Sequence, residues 1–216
     1  MQKLVNIPVD QISLEGELVL PEDTSSIVLF AHGSGSSRFS PRNNYVASIL
    51  QQAGIGTLLF DLLTHEEDRN YDTRFDIDLL TRRLLAATAW IRKEPSIQSF
   101  RIGYFGASTG AAAALQAAAQ LDGKISAVVS RGGRPDLAGS AALTKVSAPT
   151  LLIVGGHDDV VIMLNRDAYV QLNCEKELTI VPGATHLFEE PGTLEQAAQT
   201  ATAWFVEHLT SKTASP

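Results

Sequence analysis

Six short, almost unbroken apolar runs recur along this chain, and they constrain its fold more than any other feature. SSIVLFAH (25–32), GTLLFDL (56–62), FRIGYFG (100–106), ISAVVSR (125–131), PTLLIVGG (149–156) and KELTIVPG (176–183) are each of strand length and rich in β-branched or aromatic residues. A strand with one wet face alternates polar and apolar positions. Continuous runs instead predict strands covered by helices on both faces, as in a parallel sheet.

The segments between the runs supply those helices. Ser40-Pro41 offers an N-cap and a first-turn proline for a helix ending at Gly54. Ile77, Leu80, Leu84, Ala87 and Ile91 recur at helical spacing within 74–93, and further helices are expected from Thr109, near Met163 and near Thr193. Residues 2–20 read as two antiparallel strands joined near Asp10. The alternation predicts an α/β fold: a mostly parallel, doubly wound sheet of about eight strands with flanking helices and right-handed crossovers. One domain is expected over 1–216, its core at about 14–210, with only the terminal SKTASP frayed.

Composition narrows the class. A net charge of −7 and the lack of any basic run argue against a nucleic-acid partner. No stretch is long and apolar enough for a membrane span, and MQKLVNIPVD lacks the apolar segment of a secretory leader. A single cysteine, Cys174, excludes an internal disulfide framework. A cytoplasmic protein acting on a small molecule is the expectation, and a homodimer is compatible with it.

In an open α/β sheet, ligands bind beyond the carboxyl ends of the strands. Reading only those positions gives HGSGSS from His32, then Asp61, GASTG at 106–110, RGGR at 131–134, GGHDD at 155–159 and GATH at 183–186. Ser108 lies in a G-x-S-x-G pentapeptide that a strand enters and a helix leaves. That is the setting of a strained nucleophile turn, where Gly106 and Gly110 let strand and helix approach closely. A serine hydroxyl needs a base, for which His186 is the candidate, and the base needs an acid to fix its tautomer. Asp158 and Asp159 compete for that role. The order serine, aspartate, histidine along the chain is the α/β-hydrolase order. The oxyanion donors expected are the backbone N–H groups of Thr109 and Ser34. His32 is expected to support the loop beside it through hydrogen bonds.

On AHGSG, GASTG, GGHDD and GATH the chain resembles the α/β-hydrolase superfamily, and within it the small dienelactone-hydrolase-like branch, over about residues 14–210. The resemblance selects Asp158 through the G-x-x-D spacing from Gly155 with Val161 three residues on, leaving Asp159 to face solvent or cap the next helix. It implies a cofactor-independent hydrolase. One departure matters: the namesake enzymes use cysteine as nucleophile, whereas this chain has Ser108. A serine esterase or acyl hydrolase is therefore the expected activity.

Arg38, Arg42, Arg131 and Arg134 follow two strand ends on the expected active-site side. They suggest a positive rim for a substrate carboxylate or phosphate; equally, they could pair with Asp61, Asp136 or Glu66 and hold loops. The stretch 131–149 leaves room for one short helix and no large lid, with 61–74 as the other flap candidate. Two other functions compete. One is a metal-dependent hydrolase with His157, Asp158, His186 or Asp61 as ligands, which no compact ligand motif supports. The other is a non-catalytic binding or regulatory module on the same fold.

Overall fold

The computed structural model describes residues 1–210, which build on one eight-stranded sheet. Strand order is β1-β2-β4-β3-β5-β6-β7-β8. β1 (Gln2–Val9) and β2 (Ile12–Val19) form a hairpin that turns at Asp10, whose φ is +51°. β2 pairs antiparallel with β4 (Gly56–Phe60); every later pairing is parallel, through β3 (Ser26–Ala31), β5 (Arg101–Ala107), β6 (Ala127–Arg131), β7 (Thr150–Gly155) and β8 (Lys176–Val181). The frayed tail expected at SKTASP lies outside the described residues.

Alternate side chains of the central strands feed two separate cores. Ile27, Leu29, Ile102, Tyr104, Val128 and Leu152 pack beneath α3 (Ile77–Ile91), α4 (Thr109–Gln120) and α6 (Asp159–Gln171). Val28, Phe30, Phe105, Val129 and Ile153 pack beneath α1 (Pro41–Gln52) and α7 (Thr193–Leu209). Burial on both faces is why these strands read as unbroken apolar runs.

Local sequence sets the helix boundaries. Ser40 caps α1 by accepting from the Asn43 N–H at 3.3 Å, with Pro41 as its first residue. The expected helix over 74–93 is shorter, because the Asp76 carboxylate accepts from the Leu79 N–H at 2.9 Å and starts α3 at Ile77, after a 3₁₀ turn at Asp72–Phe75. α6 begins at Asp159, earlier than the expected start near Met163. No lid domain rises above the sheet among the described residues. The 61–75 segment holds only α2 (His65–Asp68) and that turn, and 132–149 holds a turn at Pro135–Ala138 and α5 (Ser140–Leu143).

Candidate active site

Three loops lie at the carboxyl edge of the sheet, after β3, β5 and β8, with Ser108 in the second of them in chain order. The residue stands between β5 and α4 with φ 50° and ψ −121°, a strained conformation for a side chain with a Cβ. Its neighbours make the turn geometrically feasible. A Cβ on Gly110 would overlap the Ala31 carbonyl, and one on Gly106 would overlap the Ala111 backbone. Small residues are thus required where strand and helix touch, and Ala111–Ala114 continue that close packing into the core. The turn is pinned from both sides: the Ser108 N–H donates to the Arg131 carbonyl (3.4 Å), and the Ser108 carbonyl accepts from the Arg134 N–H (3.0 Å).

The second loop follows β3. Gly33 lies directly against the Ser108 turn; a Cβ there would sit 2.9 Å from Ser108 Cβ. A tight turn follows, closed by the Ser36 N–H donating to the Gly33 carbonyl (3.1 Å), with Gly35 at φ +67°. Ser34 stands at the head of that turn, one residue from the contact with Ser108. Thr109 is the first residue of α4, so helix geometry leaves its N–H without an intrahelical acceptor.

His32 holds this loop as expected. It is 5% exposed; its Nε2 accepts from the Leu62 N–H and its Nδ1 donates to the Gly33 carbonyl, both at 3.0 Å. Burial pushes its pKa below the ordinary value, against the opposing effects of the Gly33 carbonyl, Asp61 and Asp68. The ring is neutral and works as a brace.

The third loop carries His186, after β8. Its Nδ1 meets Asp158 Oδ2 at 2.6 Å. Asp158 occupies the N-cap position of α6, yet its side chain makes no capping bond and turns to the imidazole instead. Asp159 opens the helix with its side chain exposed. The loops after β7 and β8 are pressed together: a Cβ on Gly155 would lie 2.5 Å from the carbonyls of Ala184 and Thr185, and the His157 N–H donates to the Ala184 carbonyl at 2.9 Å. With Nδ1 donating to Asp158, Nε2 is the basic nitrogen, and among the described residues it is unengaged. Gly132, one residue past β6, bridges the serine and histidine sides. A Cβ there would meet the His186 carbonyl at 3.1 Å and Cε1 at 3.6 Å.

The expected rim of four arginines narrows to two. Arg38 is held by Asp61, through its backbone N–H (2.7 Å) and its guanidinium, and it also reaches Glu15 at 2.6 Å. Arg134 forms a fork on Asp136 at 2.9 and 2.7 Å. Both are committed to holding loops. Among the described residues, Arg42 reaches only the exposed Glu189, at 3.6 Å. Arg131 is buried without any carboxylate among the described residues, and its Nη2 donates to Asn43 Oδ1 at 3.3 Å. The metal-ligand candidates do not gather: Asp61 is engaged by Arg38, while Asp158 and His186 pair with each other. Among the described residues no group of three or more His, Cys, Asp or Glu side chains could hold a metal ion.

Several supporting residues lie outside those named from sequence. Glu190 anchors the histidine loop by accepting from Thr185 N–H (3.0 Å) and Oγ1 (2.7 Å). Buried Asn165 on α6 donates to the Gly133 carbonyl at 3.0 Å. Asn43 carried a legible signal, since it falls on the buried stripe of α1 with Val46, Ala47 and Leu50, where an apolar residue is the default.

The strand order, the serine turn after β5 and the aspartate–histidine pair after β7 and β8 define an α/β-hydrolase fold. Within that class the chain belongs to the dienelactone hydrolase family, whose model matches residues 51–211. A solved dienelactone hydrolase from Anabaena variabilis shares 56% identity and a TM-score of 0.94, covering 97% of this chain and 99% of that one. Est1E from Butyrivibrio proteoclasticus has the same fold at 17% identity, with a TM-score of 0.82 over 96% of this chain and 99% of its own. A Mycobacterium tuberculosis protein provisionally named a phosphoribosyl transferase is 57% identical over 205 residues, which make up 95% of this chain and 46% of that protein. The chain thus spans about half the length of the curated relatives it matches. No helix among the described residues is long and apolar enough to cross a membrane.

Proposed function

We propose that this chain is a serine hydrolase that cleaves an ester, thioester or lactone bond of a small substrate through an acyl-enzyme. The observation that carries the reading is the 2.6 Å contact of Asp158 Oδ2 with His186 Nδ1, with His186 beside Gly132, the residue after the Arg131 carbonyl that accepts the Ser108 N–H. His186 Nε2 takes the Ser108 proton as Oγ attacks the carbonyl carbon, and Asp158 holds the tautomer and stabilises the imidazolium. The carbonyl oxygen becomes negative in the tetrahedral intermediate, where the N–H groups of Thr109 and Ser34 receive it. Collapse expels the leaving group, which takes the proton from His186. Water then enters by the same path, giving up a proton to His186 and releasing the acid from Ser108.

Family membership supports hydrolysis, and the serine in place of the namesake cysteine moves the expected substrates toward ordinary acyl esters. The name of the longer relative, phosphoribosyl transferase, is not carried over to this chain, which matches 46% of that protein. Labelling with a fluorophosphonate probe tests the proposal. Wild type should label and Ser108→Ala should not, while His186→Ala should label far more slowly. Equal labelling of Ser108→Ala, or none in a folded wild type, would remove the nucleophile from this reading.

A further inference from the structure

Among the described residues, one buried cation has no anion beside it. Arg131 ends β6 on the same face as Ala127 and Val129, which pack beneath α1 and α7. The alternation of the strand therefore sends its guanidinium toward the first turn of α1. There Nη2 meets Asn43 Oδ1, and Phe105 and Phe188 flank the group at 5.8 Å each. Arg131 is 8% exposed, and its Nη1 is buried without any partner among the described residues. A buried charge of this kind is normally matched by a carboxylate, and an unmatched one is costly.

Its neighbours have the same sign. Arg42 lies close enough for its charge to add to the effect of burial, which together push the Arg131 guanidinium down to about 10. The first turn of α1 presents the positive end of the helix dipole. Among the described residues the one carboxylate paired with Arg42, Glu189, is 64% exposed and 3.6 Å away. Such a pair in water offsets little.

This cluster borders the site already described. Arg131 pairs in register with Ala107, and its own carbonyl accepts the Ser108 N–H. Phe188, packed on the guanidinium, lies two residues beyond His186 and is held at φ +56°.

We infer that Arg131, with Arg42 and the first turn of α1, forms an oxyanion-accepting subsite for a carboxylate or phosphate carried by the substrate. The inference rests on the serine-hydrolase reading for its catalytic meaning, though anion binding itself does not depend on catalysis. The anionic group would approach from the side of Arg42, which is one-third exposed, and complete the hydrogen bonding of Arg131 Nη1. Arginine suits this role because its planar fork can engage two oxygens at once. Arg38 and Arg134, already forked onto carboxylates, take no part.

Two readouts test the subsite in wild type, Arg131→Met, Arg42→Ala and Arg38→Ala. The first is the thermal midpoint with increasing inorganic phosphate or, separately, succinate. The second is the ratio of kcat/KM for 4-nitrophenyl hydrogen succinate to that for 4-nitrophenyl acetate. Wild type should be stabilised by at least one of the two anions, and which one tells phosphate from carboxylate. Both Arg42→Ala and Arg131→Met should lose that response, and the kinetic ratio should fall about 10-fold or more, as loss of a charge-assisted contact implies. Arg38→Ala should keep both. Arg42 is partly exposed, so its variant keeps the test alive if Arg131→Met fails to fold. Wild type indifferent to both anions, or an unchanged ratio in Arg42→Ala, would overturn the inference. Should Ser108→Ala still turn over the acetate ester while phosphate binding follows the arginines, the serine reading falls and the anion subsite stands.

Discussion

The two sides of the loop after β3 treat charge in opposite ways. Toward β2, β4 and the 61–75 segment lies a cleft of about 490 Å³ lined by Glu15, Asp61, Asp68, Arg38 and His65. Three arginines in and around it have carboxylates: Arg38 has Asp61 and Glu15, Arg74 has Asp68, and Arg83 has Glu67. Thr64 and Glu67 close a capping box there, and His32 has both ring nitrogens engaged. Toward α1 and the histidine loop, polar groups are left open: Arg131 Nη1, His186 Nε2 and the leading N–H of α4. The volume of a cleft therefore does not single out the proposed site in this molecule. A buried charge without a counter-charge is the better guide: buried atoms lacking a hydrogen bond occur on both sides, but Arg38 Nε, Asp68 Oδ1 and Arg83 Nε and Nη1 belong to groups that an opposite charge holds, whereas Arg131 has none among the described residues.

If that contrast is sound, substitutions on the open side should cost activity and those on the paired side should cost stability. The largest effect should come from Asp158→Asn. Its amide keeps the size of the carboxylate but favours the wrong imidazole tautomer, so kcat/KM should drop by about 10³–10⁴-fold. Unfolding by denaturant should barely change, since Asp158 makes no helix-capping bond. A loss of several kcal/mol in stability would show that the pair holds the loops together, and the contrast would fail.

Arg38→Ala comes next and should do the reverse. The variant leaves Asp61, which is largely buried, with only the Arg38 backbone N–H among these contacts. The cost should be about 1–2 kcal/mol of unfolding free energy, most of it from the Asp61 arm, because the Glu15 partner is exposed. Ester turnover should change by no more than a few-fold. A collapse of kcat with intact stability would move Arg38 back to the substrate side, where its sequence position alone had suggested it belongs.

That exchange of roles shows what was legible in the sequence and what was not. Sheet and triad candidates could be read because each rests on a local rule. Continuous apolar runs report burial on both faces, and glycines flanking Ser108 report a close approach that no side chain would survive. The partners of the arginines could not be read in this way. Arg38 finds Glu15 across 23 positions of chain, and Arg131 meets Asn43 across 88. Which arginine is neutralised depends on how β2 lies beside β4 and on which face β6 turns toward α1, neither of which local spacing encodes. The α6 boundary was hidden for a related reason: the residue at its N-cap position, Asp158, uses its side chain on a histidine instead of on the helix.

The smallest expected effect concerns His32, the neutral brace between the two sides. Its folded pKa is held by burial below the ordinary imidazole value of about 6.5. Below about that pH the unfolded chain binds a proton that the folded chain resists, so His32 lowers stability as the solution is acidified. A His32→Gln variant keeps a neutral acceptor that can reach the Leu62 N–H but does not titrate. At pH 7.5 the variant should be the less stable of the two, having lost the bond to the Gly33 carbonyl. Denaturant unfolding at steps from pH 7.5 to 5.0 should show that difference shrinking, because only wild type pays for keeping the ring uncharged. A difference that stays constant over the range would mean that the ring takes up its proton without strain. The brace would then be open to solvent, and the side of the loop whose charges are paired would be no drier than the other.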